Sequence, residues 1–132
     1  MYPEKIVRGR IEFLEELGAT SLESRSSVSE AVRTGLQLVV VNSICGCAST
    51  VLYPALEETL PVDFDVLTVF AGQHAEATEA MRERLEGYPP SSPCLALLQD
   101  GEVVEMCPRH EIIGADPEQV SRTIETWIST YT

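Results

Sequence analysis

Basic residues are scarce in this chain of 132 residues. Nine lysines and arginines stand against 21 aspartates and glutamates, which gives a formal net charge of −12. Such a charge argues against nucleic acid and anionic membrane surfaces as partners. No apolar run reaches membrane-spanning length, and the acidic first twenty residues lack the apolar core of a signal peptide. We therefore expect a cytoplasmic protein.

The sequence also lacks the motifs of several enzyme classes. It shows no glycine-rich phosphate loop, no carboxylate pair at motif spacing and no Ser/His/Asp arrangement, so hydrolase and nucleotide-binding functions have no specific support. Cysteine is limited to four residues. In a reducing compartment, four cysteines favour a catalytic or metal-binding role over a structural disulfide framework.

The chain has a hydrophobic fraction of 44%, and its length suits one domain. We expect residues 1–132 to form that single domain with an ordinary core. Apolar spacing and turn residues predict the order helix, helix, strand, helix, strand, helix, strand, strand, helix, and hence a mixed sheet covered by helices. The predicted helices are 3–17, 27–33, 48–60, 76–85 and 116–131, and the predicted strands are 36–41, 64–71, 94–98 and 102–106. A capping box of Ser27 and Glu30 is expected to open the second helix, and Pro54 is expected to kink the third.

The most informative stretch is the first predicted strand together with the two cysteines after it. The near-continuous apolar run 36–41 is typical of a strand buried on both faces. Cys45 and Cys47 come next, separated by Gly46, and then a helical pattern begins. Free backbone N–H groups and the helix dipole at that position favour a thiolate. The pattern therefore predicts a redox or metal site.

Three functions use this cysteine pair in different ways. In thiol–disulfide exchange, Cys45 at the mouth of the helix would attack a disulfide, and Cys47 would resolve the mixed disulfide. Gly46 would relax the backbone enough for the two sulfurs to approach each other. In a metal site, Cys107 and His110 would join the pair to hold zinc or copper. The third interpretation is a redox sensor that is oxidised without catalytic turnover.

Three segments resemble one known family. They are Val40–Ala48, which contains the Cys-Gly-Cys motif, the Ser91–Pro93 triplet before a hairpin strand, and Arg109–Ile112. Together they resemble the bacilliredoxins, and the resemblance covers essentially the whole chain. It implies an α/β, thioredoxin-like three-layer sandwich: a mixed central sheet with a C-terminal β-hairpin, and two extra N-terminal helices.

The resemblance also implies an activity and a site. Bacilliredoxins remove the low-molecular-weight thiol bacillithiol from protein mixed disulfides, and relatives have disulfide-isomerase-like activity. The implied partners are proteins carrying such mixed disulfides and a small thiol or a reductase as electron source, with no cofactor. We expect Cys45 and Cys47 to be catalytic and Gly46, Ser92 and Pro93 to bind substrate. The Ser92–Pro93 peptide bond is expected to be cis.

The two remaining cysteines fall on opposite arms of a predicted hairpin. Asp100–Gly101 is typical of a two-residue turn. Counting back from that turn places Cys94 opposite Cys107, in a non-hydrogen-bonded pair with Cα atoms roughly 4.5 Å apart. We therefore expect these two sulfurs to be neighbours on one face of the sheet.

Overall fold

The computed structural model describes residues 3–132, and these fold into a five-stranded sheet with helices on both faces. The α-helices are α1 (Glu4–Glu16), α2 (Arg25–Ala31), α3 (Tyr53–Thr59), α4 (Ala75–Glu83), α5 (Arg109–Ile113) and α6 (Pro117–Tyr131). The strands are β1 (Ala19–Ser21), β2 (Leu36–Asn42), β3 (Asp65–Phe70), β4 (Cys94–Gln99) and β5 (Glu102–Cys107). The predicted α/β architecture is confirmed.

The sheet has the strand order β1-β3-β2-β4-β5, with β2 at its centre. Strands β1, β3 and β2 are parallel, whereas β4 runs antiparallel to β2, and β5 runs antiparallel to β4. Residues Leu38–Val41 of β2 are at most 1% exposed. This burial explains the uninterrupted apolar run, because a strand with helices on both faces has no side turned to water.

Each face of the sheet has its own core. The first core gathers side chains of α3, α6 and the segment before α3 against one face, including Leu52, Leu56, Ile124 and Trp127. The second packs α2 and α4 against the other face, including Val28, Ala77 and Met81. None of the helices in residues 3–132 is both long and apolar enough to cross a membrane.

Helix α1 packs beside the strand ends that lead into the cysteine segment. Its buried residues Val7 and Ile11 form a small cluster with Phe70, the last residue of β3, and Ile44 packs against this cluster. The N-terminal helix is therefore anchored directly beside the segment that carries the cysteines.

The sequence patterns did not predict two short elements. Strand β1 has three residues and pairs with β3, and α5 has five residues. Both are shorter than the stretch over which apolar periodicity is informative. The predicted capping box of Ser27 and Glu30 was wrong. The box consists of Ser24 and Ser27, because α2 begins at Arg25 and a serine hydroxyl can fill the reciprocal position.

The helix after the cysteines is irregular just before Pro54, the residue at which the sequence predicts a kink. A π-helical turn covers Ala48–Leu52, and Pro54 lies in the first turn of α3. The Tyr53 N–H donates to the Ala48 carbonyl five residues back. A proline lacks the N–H that a regular helix would need, and a π-turn accommodates the resulting change in hydrogen bonding.

The predicted pairing of Cys94 with Cys107 was wrong. Gln99 pairs with Glu102 as expected, but a bulge at Val104 shifts the register, so that Leu95 pairs with Cys107. A one-residue shift moves side chains to the other face of a sheet. Cys94 therefore lies in the second core and Cys107 in the first.

The bulge has a local reason in the packing of β5. It allows Val104 to pack against the first core while the Glu105 carboxylate accepts a hydrogen bond of 2.9 Å from the Tyr131 hydroxyl. A regular hairpin would place only one of two successive residues on that face.

The N-terminal cap of α6 provides a test of local stability. Asp116 Oδ1 accepts a hydrogen bond from the Gln119 N–H, and the Gln119 side chain accepts one from the Asp116 N–H. Asp116→Ala is expected to lower the free energy of unfolding by about 1 kcal/mol, measured by urea denaturation. The matched control, Asp63→Ala in an exposed loop, is expected to change it by less than about 0.5 kcal/mol. Equal effects would mean that the cap contributes nothing.

Candidate active site

The cysteine segment begins where the central strand ends. Asn42 is the last residue of β2 and is 1% exposed. Its Oδ1 accepts hydrogen bonds from the Ser43 N–H at 2.8 Å and from the Tyr53 hydroxyl at 2.6 Å. The Ser43 hydroxyl in turn accepts the Cys45 N–H at 3.1 Å. These contacts tie the exit from the strand to the helix after the cysteines.

The two cysteines that the sequence singles out lie side by side. Cys45 Sγ and Cys47 Sγ are 2.7 Å apart, and both residues are partly exposed. The Cys47 N–H also donates toward Cys45 Sγ at 3.4 Å. Gly46 between them is exposed, and a Cβ added there would meet no atom within 4 Å. Solvent and substrate therefore have access to this side of the pair.

The two thiols differ in acidity. The pKa of Cys45 is lowered to about 7, chiefly by the hydrogen bond from the Cys47 thiol. Burial opposes this effect, while the Cys47 N–H and the Arg109 guanidinium add to it. The pKa of Cys47 is raised, first by burial and then by the neighbouring Cys45. Near neutral pH Cys45 is therefore partly ionised, whereas Cys47 stays a thiol.

Arg109 places a positive charge beside this thiolate. It is the first residue of α5, and its Nη2 lies 3.7 Å from Cys45 Sγ. Its backbone N–H donates to the Ser91 hydroxyl at 3.3 Å. A single residue thus connects Cys45 with the segment that precedes β4. Sequence patterns marked Arg109 only as part of a resembling segment, because its distance from Cys45 along the chain hides the contact.

A second arginine holds the backbone of the cysteine segment. Arg10 of α1 donates from Nη1 to the carbonyl oxygens of Ser43 at 2.9 Å and Cys45 at 3.0 Å. Its guanidinium lies 5.8 Å from the ring centroid of Tyr53, which also stacks on Phe13. Arg10 was not predicted, since no local pattern marks a contact across more than thirty residues.

The predicted substrate-binding segment lies at the same end of the sheet. The Ser92–Pro93 bond is cis, as expected from the sequence. Cys94, the next residue, pairs with Val41 of β2, so Pro93 comes directly beside the end of that strand. Pro93 is buried, whereas Ser92 is partly exposed. Gly46, Ser92 and Pro93 remain predictions as substrate-binding residues.

The alternative metal site is not assembled by the fold. Cys107 is buried in the first core, while the His110 side chain is 80% exposed. Within residues 3–132, no group of three or more His, Cys, Asp or Glu side chains is arranged to hold a metal ion. Burial also raises the pKa of Cys94 to about 11 and that of Cys107 to about 12, so both stay protonated.

Comparison with known proteins agrees with this geometry. A family model described as disulphide isomerase matches residues 2–132. The chain is 45% identical to a bacilliredoxin of Bacillus cereus, over 92% of this chain and 88% of that protein. It is 38% identical to a bacilliredoxin of Staphylococcus aureus, over 99% of this chain and 93% of the other. The chain belongs to the bacilliredoxin family.

Solved structures support the fold of this bacilliredoxin-family protein. The thioredoxin of Malassezia sympodialis matches with a TM-score of 0.58 and 13% identity, over 83% of this chain and 90% of that one. The thioredoxin of Fasciola hepatica matches with a TM-score of 0.56 and 18% identity, over 80% and 96%. Family and fold together support a thiol–disulfide oxidoreductase.

The Arg109 contact predicts a pH effect. The rate at which Cys45 reacts with iodoacetamide should rise with pH through a midpoint of about 7, because the thiolate is the nucleophile. Arg109→Gln removes a charge that favours the thiolate, so the midpoint should move to higher pH. Arg33→Gln is the control, since Arg33 pairs with Asp65 at the opposite end of the sheet. Identical midpoints in both variants would show that Arg109 does not stabilise the thiolate.

The Arg10 contacts predict a change in backbone protection. Arg10→Met should speed amide hydrogen exchange at Cys45 and Cys47, because two charged hydrogen bonds to the segment are lost. Arg8→Met is the matched control, since Arg8 is exposed on the same helix. If exchange in the cysteine segment is the same in both variants, Arg10 does not restrain it.

Proposed function

We propose that this protein removes a low-molecular-weight thiol of the bacillithiol type from proteins that carry it as a mixed disulfide. The observation that carries the proposal is the contact between Cys45 and Cys47, whose sulfurs lie 2.7 Å apart and whose pKa values are shifted in opposite directions. Cys45 can attack as a thiolate in the first step, and Cys47 stays protonated until the second step, as a two-step exchange requires.

In the first step, the Cys45 thiolate attacks the sulfur of the small thiol. The bond between that sulfur and the protein cysteine breaks, and the protein sulfur leaves as a thiolate that takes up a proton. Cys45 now carries the small thiol as a mixed disulfide. The substrate protein has been reduced, and the small thiol has moved to this protein.

In the second step, Cys47 loses its proton and attacks Cys45 Sγ. The small thiol departs and is protonated, and a Cys45–Cys47 disulfide forms. Two electrons from a small thiol or a reductase then restore both thiols. Loss of the negative charge on Cys45 in the first step removes the influence of Cys45 that raises the pKa of Cys47, and only burial still raises it. The first step therefore makes Cys47 easier to deprotonate for the second step.

The neighbouring residues have distinct roles in this scheme. Arg109 stabilises the thiolate before attack, and Arg10 fixes the backbone of the cysteine segment by binding the carbonyls of Ser43 and Cys45. The Ser92 backbone, set beside the end of β2 by Pro93, is expected to pair with the substrate. The same attack on a protein disulfide would reshuffle it, so disulfide isomerisation is a second use of the pair. A reducing cytoplasm suits this chemistry, and all four cysteines are free thiols.

The proposal is tested by separating the two cysteines. Cys45→Ala should abolish attack on a protein mixed disulfide. Cys47→Ala should still accept the small thiol on Cys45 but should release it far more slowly, because only external thiols can attack the adduct. Mass spectrometry of each variant after reaction measures the adduct directly.

The control for this test is the buried cysteine Cys107. Cys107→Ala should react and turn over like the natural protein, because that thiol is buried and stays protonated. An adduct on Cys47 in the Cys45→Ala protein, together with none on Cys45 in the Cys47→Ala protein, would reverse the assigned roles. Full turnover without Cys45 would refute the proposed function.

A further inference from the structure

A second concave site lies on the α4 face of the sheet. It is a cleft of about 530 Å³ between α4 and the segment that leads to Pro93. Its lining consists of Gly72, Ala75, Thr78, Glu79, Arg82, Glu83 and Pro90. The volume is typical of clefts that hold small molecules. Because Pro90 belongs to the segment before Pro93, one wall of the cleft is continuous with the proposed substrate-binding backbone.

Buried polar atoms without hydrogen-bond partners concentrate around this cleft. In residues 3–132 there are five such side-chain atoms, of which four belong to Gln73, His74, Thr78 and Arg82. The Thr78 hydroxyl and Arg82 Nε are on residues that line the cleft, and Thr78 is only 3% exposed. Gln73 Oε1 is an acceptor, whereas the Thr78 hydroxyl and Arg82 Nε–H are donors. Leaving two buried donors without an acceptor is unfavourable, so these two on cleft-lining residues favour a bound group that accepts hydrogen bonds.

The charges in the cleft indicate what that group is. Arg82 makes no ion pair or side-chain hydrogen bond within the described part of the chain, although the protein is rich in carboxylates. Glu79 and Glu83 are each bound by Arg25 at 3.0 Å. Arg25 and Arg82 offset the two carboxylates that line the cleft, while Glu76 adds one further negative charge near Arg25. A guanidinium offers donors in a plane that matches a carboxylate.

Arg82 is also close to the strand that begins after the cis bond. Burial raises the pKa of Cys94, whereas the Ser91 hydroxyl and the charge of Arg82 act in the opposite direction. Arg82 thus acts electrostatically on the residue next to Pro93. A group bound to Arg82 would lie beside the segment that leads from Pro90 to Pro93.

We propose that this cleft binds a carboxylate of the low-molecular-weight thiol, with the Arg82 Nε–H and the Thr78 hydroxyl as donors. The identity of the ligand as the thiol rests on the proposed function, whereas the binding of a carboxylate does not. Arg82 and Thr78 are therefore specificity residues: they recognise the body of the thiol while Cys45 reacts with its sulfur.

The first test measures carboxylate binding without thiol chemistry. In a Cys45→Ser protein, the NMR signal of the Arg82 Nε–H is followed during titration with succinate and with its neutral analogue succinamide. Succinate should shift the signal and succinamide should not. Thr78→Val should weaken succinate binding about three- to tenfold, the loss expected for a neutral hydrogen bond. Arg84→Gln removes the same charge at the end of the same helix, outside the cleft, and should change binding less than about twofold.

The second test measures attack on a mixed disulfide. In the Cys47→Ala protein, the rate of adduct formation is compared for one carrier protein linked to glutathione or to glutathione diethyl ester. Arg82→Gln should slow the reaction with glutathione about tenfold or more, because a charge-assisted hydrogen bond is lost. The ester, which lacks free carboxylates, should react less than about twofold more slowly. Arg84→Gln should leave both rates nearly unchanged.

The outcomes separate the two proposals. No succinate shift at Arg82, or an equal shift with succinamide, overturns the carboxylate site even if Cys45 reacts as proposed. A succinate shift with equal slowing of glutathione and ester overturns the assignment to the thiol. Slowing that is confined to glutathione supports it. Thermal unfolding of Arg82→Gln is measured in parallel. If that variant does not fold, Thr78→Val and the succinate titration of the Cys45→Ser protein still decide the outcome.

Discussion

The position of the reacting sulfur depends on the pairing of β2 along both of its edges. The strand is bound to β3 on one side and to β4 on the other: its last residue, Asn42, pairs with Phe70 of β3, and the preceding Val41 pairs with Cys94 of β4. The Asn42 side chain then binds Ser43 and Tyr53. The sheet therefore fixes the position of Cys45 through a few short hydrogen bonds, although Cys45 itself does not belong to a strand.

A thiolate is an unusual group to stabilise in a protein with a net charge of −12. The general field of such a protein opposes an added negative charge. The local donors must therefore be close, and they come from distant parts of the chain. The Cys47 thiol and N–H lie within the motif, whereas Arg109 comes from α5. Two of the nine basic residues, Arg10 and Arg109, thus contact the cysteine segment.

The sequence patterns predicted the parts of the fold that depend on neighbouring residues. The buried strand, the helix opening at the cysteines and the Asp100–Gly101 turn all follow from local periodicity or turn chemistry. Strand β1 was missed because three residues are too few to show alternation. The contact of Arg10 with the Cys45 carbonyl was missed because it depends on how α1 packs. In the site, the cysteines and the cis bond were predictable, but the arginines that bind around them were not.

The bulge at Val104 decides whether Cys94 and Cys107 lie on the same face of the sheet. A regular hairpin would place Cys94 and Cys107 together, a second thiol pair close to the first. The bulge instead puts the sheet between them, with Cys94 facing α4 and Cys107 facing α6. Cys45 and Cys47 are therefore the neighbouring pair of thiols in the described residues, whereas Cys94 and Cys107 are buried and stay protonated. The α4 face, where Cys94 only packs, is left free for the Arg82 cleft. In the proposed scheme, Cys45 at the end of β2 reacts with the sulfur, and the Arg82 cleft on the α4 face binds a carboxylate of the same thiol.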